Sequence, residues 1–223
     1  MIILNLKNYL ESTGPNLINI INDVKFAAQE DKRIKDIVAI SPAVYDLNLA
    51  IQNADGIQIF AQHIDFKKAG STTGWTPAES MKHLNVNHSV LNHSERRHPK
   101  WEDLEDTIKH AHDLDIKLIV CCENLDEAKK LLKLKPFAIA YEDKELIGSG
   151  QSITTGKPEE VKRFIDLVNG KAKAIIGAGI SSSEDITKGL EFGADGFILA
   201  SAFVKASDKK AKILELTRPF FKN

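Results

Sequence analysis

Eight short apolar runs, separated by segments of helical periodicity, constrain the fold of this chain more than any other feature. Each run is three to six residues long, and several are rich in Val and Ile. That pattern is typical of strands buried on both faces, as in parallel sheets. The predicted strands, numbered in chain order, are Ile2–Leu6, Ile37–Ile40, Ile57–Ala61, Ser89–Leu91, Lys117–Cys122, Phe137–Tyr141, Ala174–Ile176 and Gly196–Ala200.

The segments between these strands carry helix signals. A helix is predicted over Lys157–Val168, because Pro158 suits a first helical turn and acidic residues follow it. A shorter helix is predicted over Tyr45–Gln52, and Ser181–Glu184 resembles a capping box that opens the helix after strand 7. Apolar residues share one helical face in two further segments: Leu17, Ile20, Ile21, Val24 and Ala28 in one, and Leu104, Ile108, Ala111 and Leu114 in the other.

Alternating strands and helices imply a parallel sheet. Eight units of about 28 residues in a chain of 223 predict an α/β fold, a single (β/α)8 barrel, as one domain over residues 1–223. An open, flavodoxin-like sheet remains the alternative, since the second helix is short and strand 4 is brief.

Composition excludes several classes of protein. Lys and Arg (30) nearly balance Asp and Glu (31), so no overall charge favours nucleic acid or an anionic membrane as a partner. Cys121 and Cys122, the only cysteines, suit a reducing compartment. With no long apolar stretch and a strand pattern at the start, a cytoplasmic protein is expected. His110 and His112 lie two apart on a helix, and the other histidines have no ligand spacing, so no metal is expected.

In such a barrel, function is expected where strands end. Strand 1 ends in Asn5 and Lys7, and the lysine is either an anion ligand or an ordinary surface charge. Strand 4 leads into Asn92-His93-Ser94-Glu95-Arg96-Arg97, a charged group whose position favours a site over a solvated surface. Strand 6 delivers Glu142, a type of residue that more often caps a helix or faces solvent.

Small residues follow strands 7 and 8. Gly177-Ala178-Gly179 and Ala200-Ser201-Ala202 each precede a helix, where backbone N–H groups can approach an anion closely. These two loops form the usual phosphate site of this barrel. The glycines alone are weak evidence, because tight turns also require them.

Taken in order, these motifs resemble the triosephosphate isomerase family, in particular its short archaeal form. The resemblance runs from Asn5 to about Lys205, and the run His93–Arg97 is its most specific part. It implies interconversion of dihydroxyacetone phosphate and D-glyceraldehyde 3-phosphate, in glycolysis and gluconeogenesis, with no cofactor and no metal.

The resemblance also implies roles for individual residues. Glu142 is the expected base, and His93 is the expected electrophile on the carbonyl group. Lys7 with Asn5 is expected to bind substrate and stabilise the enediolate, with Glu95 as a supporting acid. Arg96 and Arg97 are expected to organise the electrostatics of the site. His93 would precede a helix starting at Ser94, whose positive end would favour a neutral ring.

Phosphate is expected to bind backbone donors of Ile147, Gly148, Gly179, Ala200 and Ser201. The segment after Glu142 is expected to close as a lid that excludes water. Asp143 stands where the family commonly has proline, which predicts a looser hinge and an added charge beside the base.

The long loop Gln62–Pro77, with Thr73, is expected by the same resemblance to enter a neighbouring subunit of a homodimer or homotetramer. Two rival functions remain: another sugar-phosphate isomerase or epimerase, and a non-catalytic barrel that binds phosphorylated metabolites. The first, where it uses a metal, needs His and Asp ligands that the strand ends do not offer. The second has little use for Lys7, His93 and Glu142 together.

Overall fold

The computed structural model describes residues 1–143, 146 and 152–221. In this part of the chain, eight parallel strands form one sheet in the order β3-β2-β1-β8-β7-β6-β5-β4. The alternation of helices and strands around this nearly closed ring confirms the predicted (β/α)8 barrel and rules out the open sheet. The strands are β1 Ile2–Asn5, β2 Val38–Ser41, β3 Gln58–Ile59, β4 His88–Leu91, β5 Lys117–Cys122, β6 Ala138–Tyr141, β7 Lys173–Ile176 and β8 Gly196–Leu199.

The ring closes between β3 and β4 through a single bridge rather than a ladder. Ala61, just after β3, pairs with Ser89 of β4. Its N–H donates to the carbonyl oxygen of His88 at 3.0 Å, and its carbonyl oxygen accepts from the N–H of Val90 at 2.9 Å. This junction, named here the seam, is the narrowest connection between neighbouring strands of the described sheet.

Helices cover the outside of the ring. They are α1 Pro15–Glu30, α2 Ile34–Ile37, α3 Leu47–Asn53, α4 Ala78–His83, α5 Trp101–Asp113, α6 Leu125–Leu132, α7 Ile153–Gly156, α8 Pro158–Val168, α9 Ser183–Glu191, α10 Ser201–Val204 and α11 Lys209–Thr217. Short 3-10 turns occupy Leu10–Ser12, Val44–Asp46 and Arg218–Phe221. None of the helices in the described segments is long and apolar enough to cross a bilayer.

One helix prediction differs from the structure in detail, and one short helix was not predicted. The capping box of α9 is formed by Ser182 and Asp185, one residue later than Ser181 and Glu184. A capping box normally has Glu or Gln three residues after the N-cap residue. Here that position is Asp185, so the Ser-x-x-Glu pattern did not identify the box. The one-turn helix α7 was not predicted; Ser152 caps it by accepting a hydrogen bond from the N–H of Thr154 at 3.3 Å.

The core has two layers, as the alternation of side chains along each strand requires. Most buried side chains lie between the sheet and the helices. A smaller set fills the interior of the barrel: Ile3, Ala39, Phe60, Val90, Ile119, Cys121, Ala138, Ala140, Ile175 and Ile198. Both cysteines are buried, as expected for small core residues. The prediction of one domain over the whole chain stays a prediction.

Candidate active site

The alternation of side chains along each strand places the candidate residues at the mouth of the barrel. Asn5 lies two residues after the interior Ile3, and Glu142 lies two residues after the interior Ala140. By the same period, Gly177 follows the interior Ile175. Because these strands are parallel, all three residues reach the same rim. Asn5 and Glu142 are both buried.

Lys7 is held in an unusual backbone conformation. Its φ angle of 47° lies in the left-handed region, which a residue with a side chain adopts at a cost. The N–H of Lys7 donates to Oδ1 of Asn5 at 3.1 Å, and its carbonyl oxygen accepts from Nε2 of Gln62 at 3.0 Å. Two side chains thus fix this turn so that the lysine points into the mouth.

Gln62 supports the turn at Lys7, whereas sequence reading named it only as the start of the loop Gln62–Pro77. Its amide also donates to the carbonyl oxygen of Ser41 at 3.0 Å, so it links the ends of β1, β2 and β3. Its position directly after strand 3 was the available signal, since polar residues at strand ends of such barrels build the site.

His93 has a defined tautomer. The N–H of Glu95 donates to Nδ1 of His93 at 3.1 Å, so this nitrogen is an acceptor and the proton of the neutral ring lies on Nε2. Nε2 lies 3.3 Å from Oε1 of Glu142. The helix expected at Ser94 is absent, because Ser94–Arg96 form a turn and α5 begins only at Trp101. One backbone N–H, rather than a helix terminus, therefore favours the neutral ring.

Opposing influences act on the pKa of His93. Burial lowers this pKa, but the hydrogen bond and the negative charge of Glu142 together raise it by more, and Lys7 lowers it slightly. The net pKa lies above the ordinary value of histidine while Glu142 contacts the ring. A bound molecule that separates His93 from Glu142 would remove the main cause of the raised pKa of His93.

Lys7 and Glu142 differ in how their charges are matched at the mouth of the barrel. Nζ of Lys7 lies 2.6 Å from Oε1 of Glu95, which is itself half exposed. Oε2 of Glu142 is buried, and it accepts no hydrogen bond in the part of the chain that the structure describes. A buried carboxylate oxygen without a donor is uncommon, and it can accept a proton from a bound molecule.

Gly177 makes room for the Glu142 side chain. A Cβ atom at this position would lie 2.7 Å from Cγ of Glu142 and 2.9 Å from Cγ2 of Ile198. Sequence reading assigned this glycine to the phosphate loop and missed its role beside the carboxylate. Only the three-dimensional contact between β6 and β7 shows that role.

A cleft of about 530 Å³ connects the candidate residues. Lys7, His93 and Glu142 line it. The predicted phosphate residues Gly179, Ala200 and Ser201 line the same cleft. Gly179 has a φ angle of 70°, and Ser201 opens α10, so its N–H has no preceding helical turn to donate to. Ile147 and Gly148 lie outside the described residues.

The two arginines after His93 anchor neighbouring loops. Arg96 lies 3.1 Å from Oδ1 of Asp65, in the loop after β3, and Arg97 lies 3.2 Å from Oε1 of Glu123, after β5. Arg97 also pairs with Glu127 on α6. Among the described residues, no cluster of three or more His, Cys, Asp or Glu could hold a metal ion, and the expected absence of a metal stays a prediction.

Comparison with known proteins gives one consistent result. A family model described as Triosephosphate isomerase matches residues 1–217. The chain is 36% identical over 208 residues to a triosephosphate isomerase of Thermoplasma volcanium, covering 93% of this chain and 94% of the relative. It is 37% identical over 219 residues to that of Methanothermus fervidus, covering 97% and 96% of the two chains. With that of Methanocaldococcus jannaschii, identity is 35% over 221 residues, covering 98% and 99%.

Proposed function

The chain belongs to the triosephosphate isomerase family, and on that premise we propose how its residues interconvert dihydroxyacetone phosphate and D-glyceraldehyde 3-phosphate. The two trioses differ in which of two adjacent carbons carries the carbonyl group. The reaction therefore moves one proton between carbons and one between oxygens, through an enediolate. The chain needs a base beside the carbons and hydrogen-bond donors beside the oxygens.

Glu142 is the proposed base. The single observation that carries this proposal is that its carboxylate lies 3.3 Å from Nε2 of His93 while Oε2 is buried and accepts no described hydrogen bond. A base and a donor this close can contact neighbouring atoms of one small molecule. Oε2 takes the proton from the carbon beside the carbonyl group and returns it to the adjacent carbon.

His93 is the proposed electrophile, and Lys7 is the proposed cation. The proton on Nε2 faces the substrate oxygens, and the N–H of Glu95 keeps that tautomer in place. Substrate between His93 and Glu142 removes the contact that raises the pKa of His93, so the ring stays neutral. Asn5 holds the backbone N–H of Lys7, and Glu95 pairs with its ammonium group. That ammonium group stabilises the negative oxygen of the enediolate.

The phosphate group is assigned to the loops that follow β7 and β8. Gly179, Ala200 and Ser201 offer backbone donors there, at small residues that let an anion approach. Ile147, Gly148 and the lid remain predictions, as do the looser hinge at Asp143 and a cytoplasmic location. Self-association through the loop Gln62–Pro77 with Thr73, as a homodimer or homotetramer, is likewise a proposal. The rival functions are disfavoured by the family match over residues 1–217.

A coupled assay with D-glyceraldehyde 3-phosphate tests the proposed base. The Glu142→Asp variant keeps the carboxylate but withdraws it by about one methylene, and we expect kcat to fall at least 100-fold, about 3 kcal/mol of lost transition-state stabilisation. The Glu142→Gln variant should also stop incorporation of solvent deuterium into the triose carbons. Unchanged turnover in either variant would remove Glu142 from this role.

A further inference from the structure

Asp143 places a second carboxylate directly beside the proposed base. It is only 7% exposed, so water screens its charge weakly. Because side chains alternate along an extended chain, Glu142 points into the barrel while Tyr141 and Asp143 point toward the helices. The ring of Tyr141 stacks on Phe164 of α8, with 5.3 Å between centroids, which fixes that direction.

Both neighbours of Glu142 contact the start of the same helix. The hydroxyl group of Tyr141 donates to Oε2 of Glu160 at 2.8 Å, in the first turn of α8. Nζ of Lys157, the residue that precedes α8, forms an ion pair with Oδ2 of Asp143. The backbone is thus tied to one helical turn on either side of the base.

The two adjacent carboxylates, Glu142 and Asp143, require a positive charge nearby. An unbalanced carboxylate at Asp143 would oppose the negative form of Glu142, which is the form that accepts a proton. Burial, aided by Glu160, raises the pKa of Tyr141, and burial raises the pKa of the neighbouring thiols, so these groups stay neutral. Within residues 1–143, 146 and 152–221, the titratable and charged groups around the pair Glu142 and Asp143 include His93 after β4, Cys121 and Cys122 of β5, Tyr141 of β6, and Lys157 and Glu160 of the α8 start.

We propose that the ion pair between Asp143 and Lys157 is a positioning and charge-balancing device for Glu142. It holds the backbone after the base and cancels the field that Asp143 would exert on the base. Lys157 is therefore a positioning residue of this enzyme, although it touches no substrate. The inference rests on the proposed function of Glu142, and it explains how this chain carries an acid directly after its base.

The test is the pH dependence of kcat/KM in four proteins: wild type, Lys157→Met, Asp143→Asn and the double variant. Lys157→Met leaves Asp143 without this counter-charge, so the acid limb should move to higher pH, by about one pH unit for charges a residue apart. Asp143→Asn removes the negative charge of this ion pair and keeps the positive charge of Lys157, so the limb should move to lower pH. The double variant should return close to the wild-type curve.

Two controls separate this role from general stability. Lys157→Arg keeps the charge and should keep the wild-type curve. Lys162→Met removes one charge from the same helix, where Lys162 pairs with the exposed Glu159 at 2.9 Å, and should leave the limb in place. The phosphate group of the substrate has a pKa of about 6 and is the same in every sample. Differences between the pH curves therefore come from the protein.

The outcomes distinguish this inference from the proposed function. Opposite shifts that cancel in the double variant support the ion-pair role. Shifts in the same direction, or no shift beyond that of Lys162→Met, overturn it, while loss of activity in Glu142→Gln still supports the proposed base. A wild-type chain that does not isomerise trioses overturns both. Thermal melts of each variant at each pH confirm that folded protein is compared.

Discussion

Replacing Gly177 with alanine should disable the enzyme without removing any catalytic group. The new Cβ atom would lie 2.7 Å from Cγ of Glu142, 2.9 Å from Cγ2 of Ile198 and 3.0 Å from Oε1 of Glu142. Carbon atoms in contact sit about 3.5–4.0 Å apart, so a shift of about 1 Å is required. Ile198 belongs to the packed barrel interior, and Glu142 faces the open cleft, so the carboxylate moves more easily.

The expected loss follows from that displacement. A misplacement of about 1 Å can cost about 100-fold in rate, because the base no longer meets the carbon in line. We therefore expect kcat to fall about 100-fold, about 2.7 kcal/mol in activation free energy. KM should change little, since the new Cβ atom would meet Glu142 and Ile198 rather than the proposed phosphate ligands Gly179, Ala200 and Ser201. Crowding should also lower the free energy of unfolding by about 1–3 kcal/mol.

Gly189→Ala is the matched control. Its Cβ atom would lie 2.4 Å from Cε1 of Phe197, in the layer between α9 and the sheet, so it crowds the core without touching the cleft. This variant should lose stability by a similar amount and keep its kcat. Steady-state kinetics and urea denaturation of both variants give the comparison. If Gly177→Ala retains kcat, or Gly189→Ala loses as much, displacement of the base is refuted as the cause.

Three further predictions concern charge, pH and assembly. Lys7→Met should reduce kcat/KM at least 100-fold and weaken inhibition by inorganic phosphate, with an unchanged melting temperature; normal kinetics would contradict the electrostatic role. Burial, followed by the charges of Lys117 and Lys173, lowers the pKa of His88 from 6.5 to about 4. Between these pH values the unfolded chain protonates His88 and the folded chain does not, so the free energy of unfolding should fall as the pH drops. His88→Phe should therefore shrink the difference in unfolding free energy between pH 7 and 4.5 by about 1–2 kcal/mol, and an unchanged difference in urea denaturation would refute this. Thr73→Arg, at the tip of the loop Gln62–Pro77, should give a smaller species on size-exclusion chromatography, and an unchanged elution volume would argue against that interface.

Much of the fold can be predicted from sequence because most strands carry a local pattern of apolar residues. Short buried runs such as Lys117–Cys122 are typical of strands, and eight of them favour the barrel over an open sheet. The strand-end rule drew attention to Asn5, Lys7, His93 and Glu142, and the family resemblance supplied their expected roles; the structure brings all four around one cleft. These residues were accessible because alternation along a strand decides which side chain faces inward.

Other features depend on contacts between distant segments. The tautomer of His93 depends on a turn at Ser94–Arg96 that helix signals did not describe. The space beside Glu142 depends on Gly177 of the neighbouring strand end, and the counter-charge of Asp143 lies fourteen residues later, at Lys157. Such pairs carry no local pattern, so a single sequence cannot show them.

The seam is the place where the barrel is expected to open locally. Two backbone hydrogen bonds of Ala61, and one at 3.4 Å from the hydroxyl group of Ser89, join β3 to β4 there. By contrast, β4 and β5 share a four-residue ladder. Local opening should begin at this joint, so the amides of Ala61 and Val90 should exchange with solvent sooner than those inside β5. Gln62, which steadies the turn of Lys7, and His93 stand on opposite sides of the same joint. Each opening event would therefore move Lys7, the proposed cation, away from His93, the proposed electrophile. The lifetime of the closed ring would then set the fraction of time in which the enzyme can act.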